Sequence, residues 1–275
     1  MTLFFMKRRL IITFFIDDFM NWLKFLGTAG ARFVMMQQQR ATGGIWVSID
    51  DTALLIDPGP GSLVRCLSSR PKLNPRTLDG IILTHRHLDH SNDVNIIIEA
   101  MTNGGFDQKG VLLAPADALD EDPVVLQYIR DHLDTIKKLS ENSSYAIKNL
   151  KISTGMLHHH GVETYGLNIH GTTVKISLIS DTKYFKGLET PYDGDILIAN
   201  VVLYNEKSYI QHLSLKDVRQ ILHHQNPKVC ILTHFGMTML KAKPWELAEQ
   251  LTKETGVKVI AARDGMKVNL DEYAH

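Results

Sequence analysis

Residues 80–91 read GIILTHRHLDHS, a short apolar run followed, between His85 and His90, by three histidines and an aspartate. The run shows no polar alternation, which predicts a strand covered on both faces, as in a parallel sheet. The carboxyl end of such a strand is where α/β proteins place their sites. Imidazole nitrogens and a carboxylate are the ligands that borderline divalent metals prefer, and catalytic zinc sites keep one position open for water. Side chains diverge along a loop. His85 and His87, two apart, can therefore share one metal while Asp89 and His90 turn toward a second.

Outward from this stretch the chain alternates apolar runs with glycine punctuation. NWLKFLGTAG (21–30) predicts a first strand and glycine turn. GGIWVSID (43–50) and TALLIDPG (52–59) predict a hairpin, and Gly61-Ser62 a helix start. SNDVNIIIEAMTNGG (91–105) predicts a helix, capped by Ser91 or Asn92 and stopped by Gly104-Gly105. DEDPVVLQYIRDHLDTIKKLSEN carries Val125, Tyr128, Ile129, His132, Leu133 and Ile136 at helical spacing, so a helix is expected over Asp122 to Asn142. Strands are expected at SYAIKNLKIST, TYGLNIHG, TTVKISLISD and DILIANVVLY. The tail then reads helix, strand, helix, strand: SLKDVRQILHHQ, KVCILTH, KPWELAEQLTKET with Pro244 in its first turn, and KVIAARDG. Two sheets faced by helices absorb this order, giving an α/β fold: a four-layer αββα sandwich in one domain.

Composition sets bounds. The 275 residues are 44% hydrophobic and 22% charged, ordinary globular values, and 30 basic residues balance 30 acidic ones. Nothing in that balance advertises a polyanion-binding surface. Cys66 and Cys230 read as reduced, buried thiols in a cytoplasmic protein. The apolar run Leu10–Ile16 is about one third of the roughly 20 residues that a membrane span requires, and Asp17-Asp18 ends it too early for a signal peptide. Residues 1–19 therefore read as an upstream start or appendage, and residues 20–275 as the domain.

HRHLDH resembles the HxHxDH signature of the metallo-β-lactamase superfamily, whose fold is the αββα sandwich. The likeness extends from about Leu23 onward, because HHHGVETYG, KISLISDTKYF and VCILTHFGM follow in the family's order. The resemblance implies two divalent metals: His85, His87 and His160 on the first, Asp89, His90 and His234 on the second, with Asp181 bridging. His160 is chosen from the triplet His158-His159-His160 for its spacing to Tyr165-Gly166. Zinc suits this donor set, with manganese or iron as alternatives. Diiron redox members usually carry glutamate where His87 stands, so hydrolysis is the class implied.

IQHLSLKDV further resembles the histidine-plus-hydroxyl motif of the ribonuclease Z and phosphodiesterase branch. That likeness implies a hydroxide held between the metals as nucleophile, Asp89 and His212 as catalytic residues, and substrate phosphate bound by His212 and Ser214. The opening GTAGARFVMMQQQRATGG also resembles that branch, a glycine turn followed by a loop able to reach over the site, and its Arg32 and Arg40 are further candidates for a phosphate contact. The branch's long glycine- and proline-rich transfer-RNA arm has no counterpart, which argues against transfer RNA as substrate and for a small or nucleotide-like phosphodiester. Hydrolysis of a thioester or lactone, and metal-dependent binding without turnover, remain alternative readings. A homodimer and no membrane partner complete the expectations.

Overall fold

The computed structural model describes residues 21–275. The expected appendage at residues 1–19 lies outside them. Among the described residues are two seven-stranded sheets. The first contains β1 (Trp22–Phe25), β2 (Ile45–Ile49), β3 (Thr52–Ile56), β4 (Gly80–Ile82), β5 (Val111–Ala114) and β6 (Thr135–Lys138). The second runs in sequence order through β7 (Ser144–Ile147), β8 (Leu150–His159), β9 (Val162–His170), β10 (Lys175–Ile179), β11 (Ile196–Asn200), β12 (Val229–Thr233) and β13 (Lys258–Ala261). A last strand, β14 (Lys267–Asn269), crosses back to the first sheet and pairs antiparallel with β1.

Three apolar interfaces make four layers of this. Leu54 and Ile56 of β3 meet Ile176 and Leu178 of β10 between the sheets, while Leu55 points outward. That outward face packs on α2 (Ser62–Ser68) and α4 (Val94–Met101) through Cys66, Val94, Ile98 and Met101, with the short α3 (Leu88–Ser91) ahead of α4. On the other side, Cys230 and Leu232 of β12 cover α5 (Leu215–Gln225) and α7 (Pro244–Thr255), while Val229 and Ile231 face the inter-sheet core. Two-residue alternation with both faces buried explains why β4, β11 and β12 read as unbroken apolar runs. The αββα expectation from sequence is the observed architecture.

The parallel runs β3-β4-β5 and β10-β11-β12 carry their carboxyl ends to one edge of the sandwich. At that edge the sheets are tied together: the Tyr165 amide on β9 donates to the Thr84 carbonyl just past β4, at 3.0 Å.

Several local expectations change. Asp122 to Asn142 is not a helix but a 3-10 segment at Gln127–His132, then β6, then the turn into β7. The Val125-Ile129-Leu133 stripe is buried as its spacing implies. However, the Arg130 guanidinium takes the Val125 and Leu119 carbonyls, so the Val125 oxygen is occupied by a side chain instead of helix bonding. Parallel pairing with β5 then extends residues 135–138. SYAIKNLKIST folds as a hairpin turning at Lys148, with φ 46°. The opening loop contains a helix, α1 (Ala31–Met36), followed in the tail by the short α6 (Met237–Lys241).

Candidate metal centre

Five strand ends deliver the polar residues of this edge. Asp57 follows β3, the His85–His90 stretch follows β4, His159 closes β8, Asp181 lies just beyond β10, and His234 follows β12. Donor atoms of His85, His87 and His159 lie within 4.8 Å of one another, and so do those of Asp89, His90, Asp181 and His234.

Asp181 joins the two groups. Its Oδ2 is 3.2 Å from His234 Nε2, 3.5 Å from His90 Nε2, 3.7 Å from His159 Nε2 and 3.5 Å from His212 Nδ1. Asp89 Oδ2 is 3.5 Å from His234 Nε2 and 3.7 Å from His90 Nε2, and His87 Nδ1 is 3.1 Å from His159 Nε2. A tetrahedral site with bonds of about 2.0–2.1 Å has donor-to-donor edges of about 3.3–3.4 Å. Most of these separations are thus what one ion between each pair would require, and too long for strong direct hydrogen bonds.

Outer contacts fix which nitrogen faces inward. The Asp57 carboxylate accepts from the Thr84 amide, from Thr84 Oγ1 and, at 2.9 Å, from His90 Nδ1. With its hydrogen directed to Asp57, Thr84 Oγ1 is an acceptor for His85 Nδ1 at 3.1 Å. His159 Nδ1 donates to the Gln211 carbonyl at 2.9 Å. Each ring therefore turns Nε2 toward the cluster, and the Nε2 atoms of His85 and His90 are buried without a hydrogen-bond partner. Unsatisfied buried nitrogens are costly unless something else binds them. Two such nitrogens, His85 among histidine donors and His90 among histidine and carboxylate donors, fit divalent metal ions. Asn200 Nδ2 holds the other Asp181 oxygen at 2.8 Å, leaving Oδ2 to the histidines.

Electrostatics agree with that arrangement. Burial pushes His85 well below its ordinary range and brings His87 and His159 down to about 4, so these imidazoles are neutral, as metal ligands must be. Burial opposes ionisation of Asp181, but His234, His212 and His90 around it hold its carboxyl well below the usual range. Burial likewise disfavours charge on His90, yet Asp89, Asp181 and Asp57 outweigh it and hold that ring well above its ordinary value, a pull on positive charge that a metal ion would answer in place of the proton.

The chain's own geometry sets one expected ligand apart from its group. The β8–β9 register pairs His159 with Val162, leaving His160 and Gly161 as the two residues of the turn, with φ of 44° and 75°. Two left-handed residues make a type I′ hairpin turn, which glycine accepts freely. His160 is thereby turned outward and exposed, its amide donating to Gln211 Oε1 and its ring reaching His159 and His212 but not His85 or His87. His159 occupies the place expected of His160.

Ser214 also departs from expectation. It is fully buried and closes a capping box at the start of α5, its Oγ donating to Asp217 Oδ2 at 2.7 Å. Its hydroxyl is committed to that cap. Ser214→Ala should lower stability by about 1 kcal/mol. In a chain of this size that is a melting-point loss of about 2–4 °C. The substrate KM should stay unchanged, which a thermal melt and a kinetic comparison would check.

His212 and Arg32, by contrast, line a cavity of about 650 Å³ that opens over His87, Asp89, His159 and Asp181; Arg40 is not in its wall. Residues 52–235 match the beta-lactamase superfamily domain. The chain belongs to that superfamily. Within it, the uncharacterized protein MJ1374 of Methanocaldococcus jannaschii is 31% identical over 255 residues, covering 90% of this chain and 94% of the relative. Among solved structures, the metallo-beta-lactamase fold protein YhfI from Bacillus subtilis superposes with a TM-score of 0.75 at 20% identity, covering 90% of this chain and 98% of that one. A diphosphatase from the PhnP family gives 0.66 at 18%, covering 90% and 96%. As a superfamily member with a His/Asp cluster suited to divalent metal, the chain is a metal-dependent hydrolase. Asp57 and Asn200 are not among the site residues expected from sequence, and His159 enters there only as a member of the triplet from which His160 is chosen. The signal for Asp57 was present in LLIDPG, an aspartate ending a strand beside the one that ends in the histidine stretch. No helix among the described residues is long and apolar enough to cross a membrane.

Proposed function

We propose that the protein hydrolyses a small or nucleotide-like phosphodiester at a two-metal centre, zinc being the ion that this imidazole-rich set favours. The observation that carries the reading is the shared Asp181 Oδ2, contacted by histidines of both donor groups. His85, His87 and His159 would hold one ion, and Asp89, His90 and His234 the other, with Asp181 between. When bound, such a pair supplies activated water at neutral pH and charge stabilisation at the attacked centre.

The chain's residues do the rest. His212 is held beside Asp181, and burial lowers it to about 4, so at neutral pH it is an uncharged ring able to donate a hydrogen bond to a phosphate oxygen. Arg32 and Lys207, at the cavity wall, add positive charge for an anionic substrate. The volume suits a small molecule better than a folded nucleic acid. The fold shared with the PhnP-family diphosphatase is in keeping with phosphoryl chemistry.

Turnover of a bis-aryl phosphodiester, beside a panel of esters, thioesters and lactones, tests the class. Phosphodiester cleavage alone supports the proposal, and cleavage of the carbonyl substrates alone replaces it. In the same assay His212→Ala should lose about 10²- to 10⁴-fold in kcat. Its metal content should stay at the wild-type level. An unchanged rate removes His212 from the chemistry.

A further inference from the structure

The wall of the cavity over the metal centre is of two kinds. One is made of the imidazoles and carboxylates just described. The other is apolar: Phe33 and Met36 of α1, and Leu88 at the first position of α3 beside the ligand Asp89, line the cavity while 57%, 63% and 62% exposed, respectively. Phe33 and Met36 are three apart on one helix and so share a face. Met237, at the first position of α6, lines the cavity as well. Large apolar side chains gathered on the surface of a soluble chain, and rimmed by polar groups, mark a binding surface.

This wall is held in place by the backbone. Asp264 accepts from the Thr28 amide, Thr28 Oγ1 and the Ala41 amide, clamping both ends of the segment that carries α1. The Gly30 amide donates to the Phe235 carbonyl at 3.0 Å, and a Cβ at Gly30 would lie 2.0 Å from the His234 carbonyl oxygen. The approach of α1 to a strand end of the metal centre therefore depends on a glycine. The apolar face and the donor cluster are thus fixed relative to one another, and Arg32, on the same helix, lines the cavity beside them.

From this arrangement we infer that the substrate carries an apolar, ring-sized ester substituent, seated on Phe33, Met36 and Leu88 while its phosphate faces the metal centre. The inference rests on the phosphodiester reading above. Methionines adapt to an aromatic ring and make favourable sulfur contacts with it, and an exposed phenylalanine adds an aromatic partner. A substrate with only small or polar substituents would leave this wall wet and gain nothing from it.

The test is calorimetric binding of benzylphosphonate and of methylphosphonate to the metal-loaded protein, run beside bis-aryl phosphodiester turnover. Benzylphosphonate is expected to bind about tenfold tighter, as burial of a ring implies. In Phe33→Ala and in Met36→Ser, both at exposed positions outside the buried core, the ratio should fall toward one. Equal affinities in the wild-type protein, or a ratio untouched by both substitutions, overturn the subsite. Turnover present with no benzyl preference removes the subsite and leaves the phosphodiester reading standing. A benzyl preference lost in both variants, with no phosphodiester turnover, keeps the subsite and removes that reading.

Discussion

His159→Ala is expected to lower metal affinity by more than the 10- to 100-fold typical of residues that merely support a ligand, and to remove turnover with it. His160→Ala should retain its metal. The two neighbours differ because the two-residue turn between β8 and β9 leaves His159 as the last paired residue of β8, with its ring centre 5.1 Å from that of His85 and 4.9 Å from that of His87, and its Nδ1 fixed on the Gln211 carbonyl. His160, one position later, is in the turn with φ 44° and exposed. Elemental analysis of the two purified variants decides between them. Loss of metal from His160→Ala with retention in His159→Ala would reverse the assignment.

Asp181→Asn should be comparably severe. The side chain is 2% exposed, and its Oδ1 is already engaged by Asn200 Nδ2. An asparagine that keeps an oxygen toward Asn200 must turn its NH₂ toward His90, His234 and His159. That replaces an anion shared by both donor groups with a hydrogen-bearing nitrogen that repels cations. Bound metal should fall below two per chain. Turnover should drop by at least about 10³-fold, which corresponds to about 4 kcal/mol of lost transition-state stabilisation. Shape is nearly preserved, so circular dichroism should match the parent. A variant with full metal content and a near-normal rate would show that Asp181 is not shared between the ions.

Much of this was legible in the sequence because strands buried on both faces must be apolar at every position, and a polar residue ending such a run stands out. GIILTH, KISLISD and VCILTH each announce a strand and its terminal ligand candidate in one stretch. Where a single residue of register decides, sequence was a weaker guide. His158, His159 and His160 are chemically identical, and only the paired geometry of β8 and β9 separates the ring that faces the cluster from the one in the turn. The stretch from Asp122 shows another limit: an i, i+4 stripe records which side chains are buried, and Val125, Ile129 and Leu133 are, but Arg130 and pairing with β5 decide the backbone. Ser214 shows the converse, since a hydroxyl ahead of a helix has a structural role available before any functional one, and Asp217 three residues later signals it. The supporting contacts of Asp57 and Asn200 join residues far apart in the chain, through strands that become neighbours only when the sheets form.

In the proposed reading, one edge of the sandwich binds two metal ions between seven residues and uses them to cleave a phosphodiester. Metal stoichiometry and bis-aryl phosphodiester turnover, measured on one sample of the purified chain and of His87→Ala, test it most directly. The expected result is close to two ions per chain with turnover in the parent, and loss of both metal and rate in the variant. A parent that binds two ions yet leaves the phosphodiester intact, or a variant that loses metal without losing rate, would contradict it.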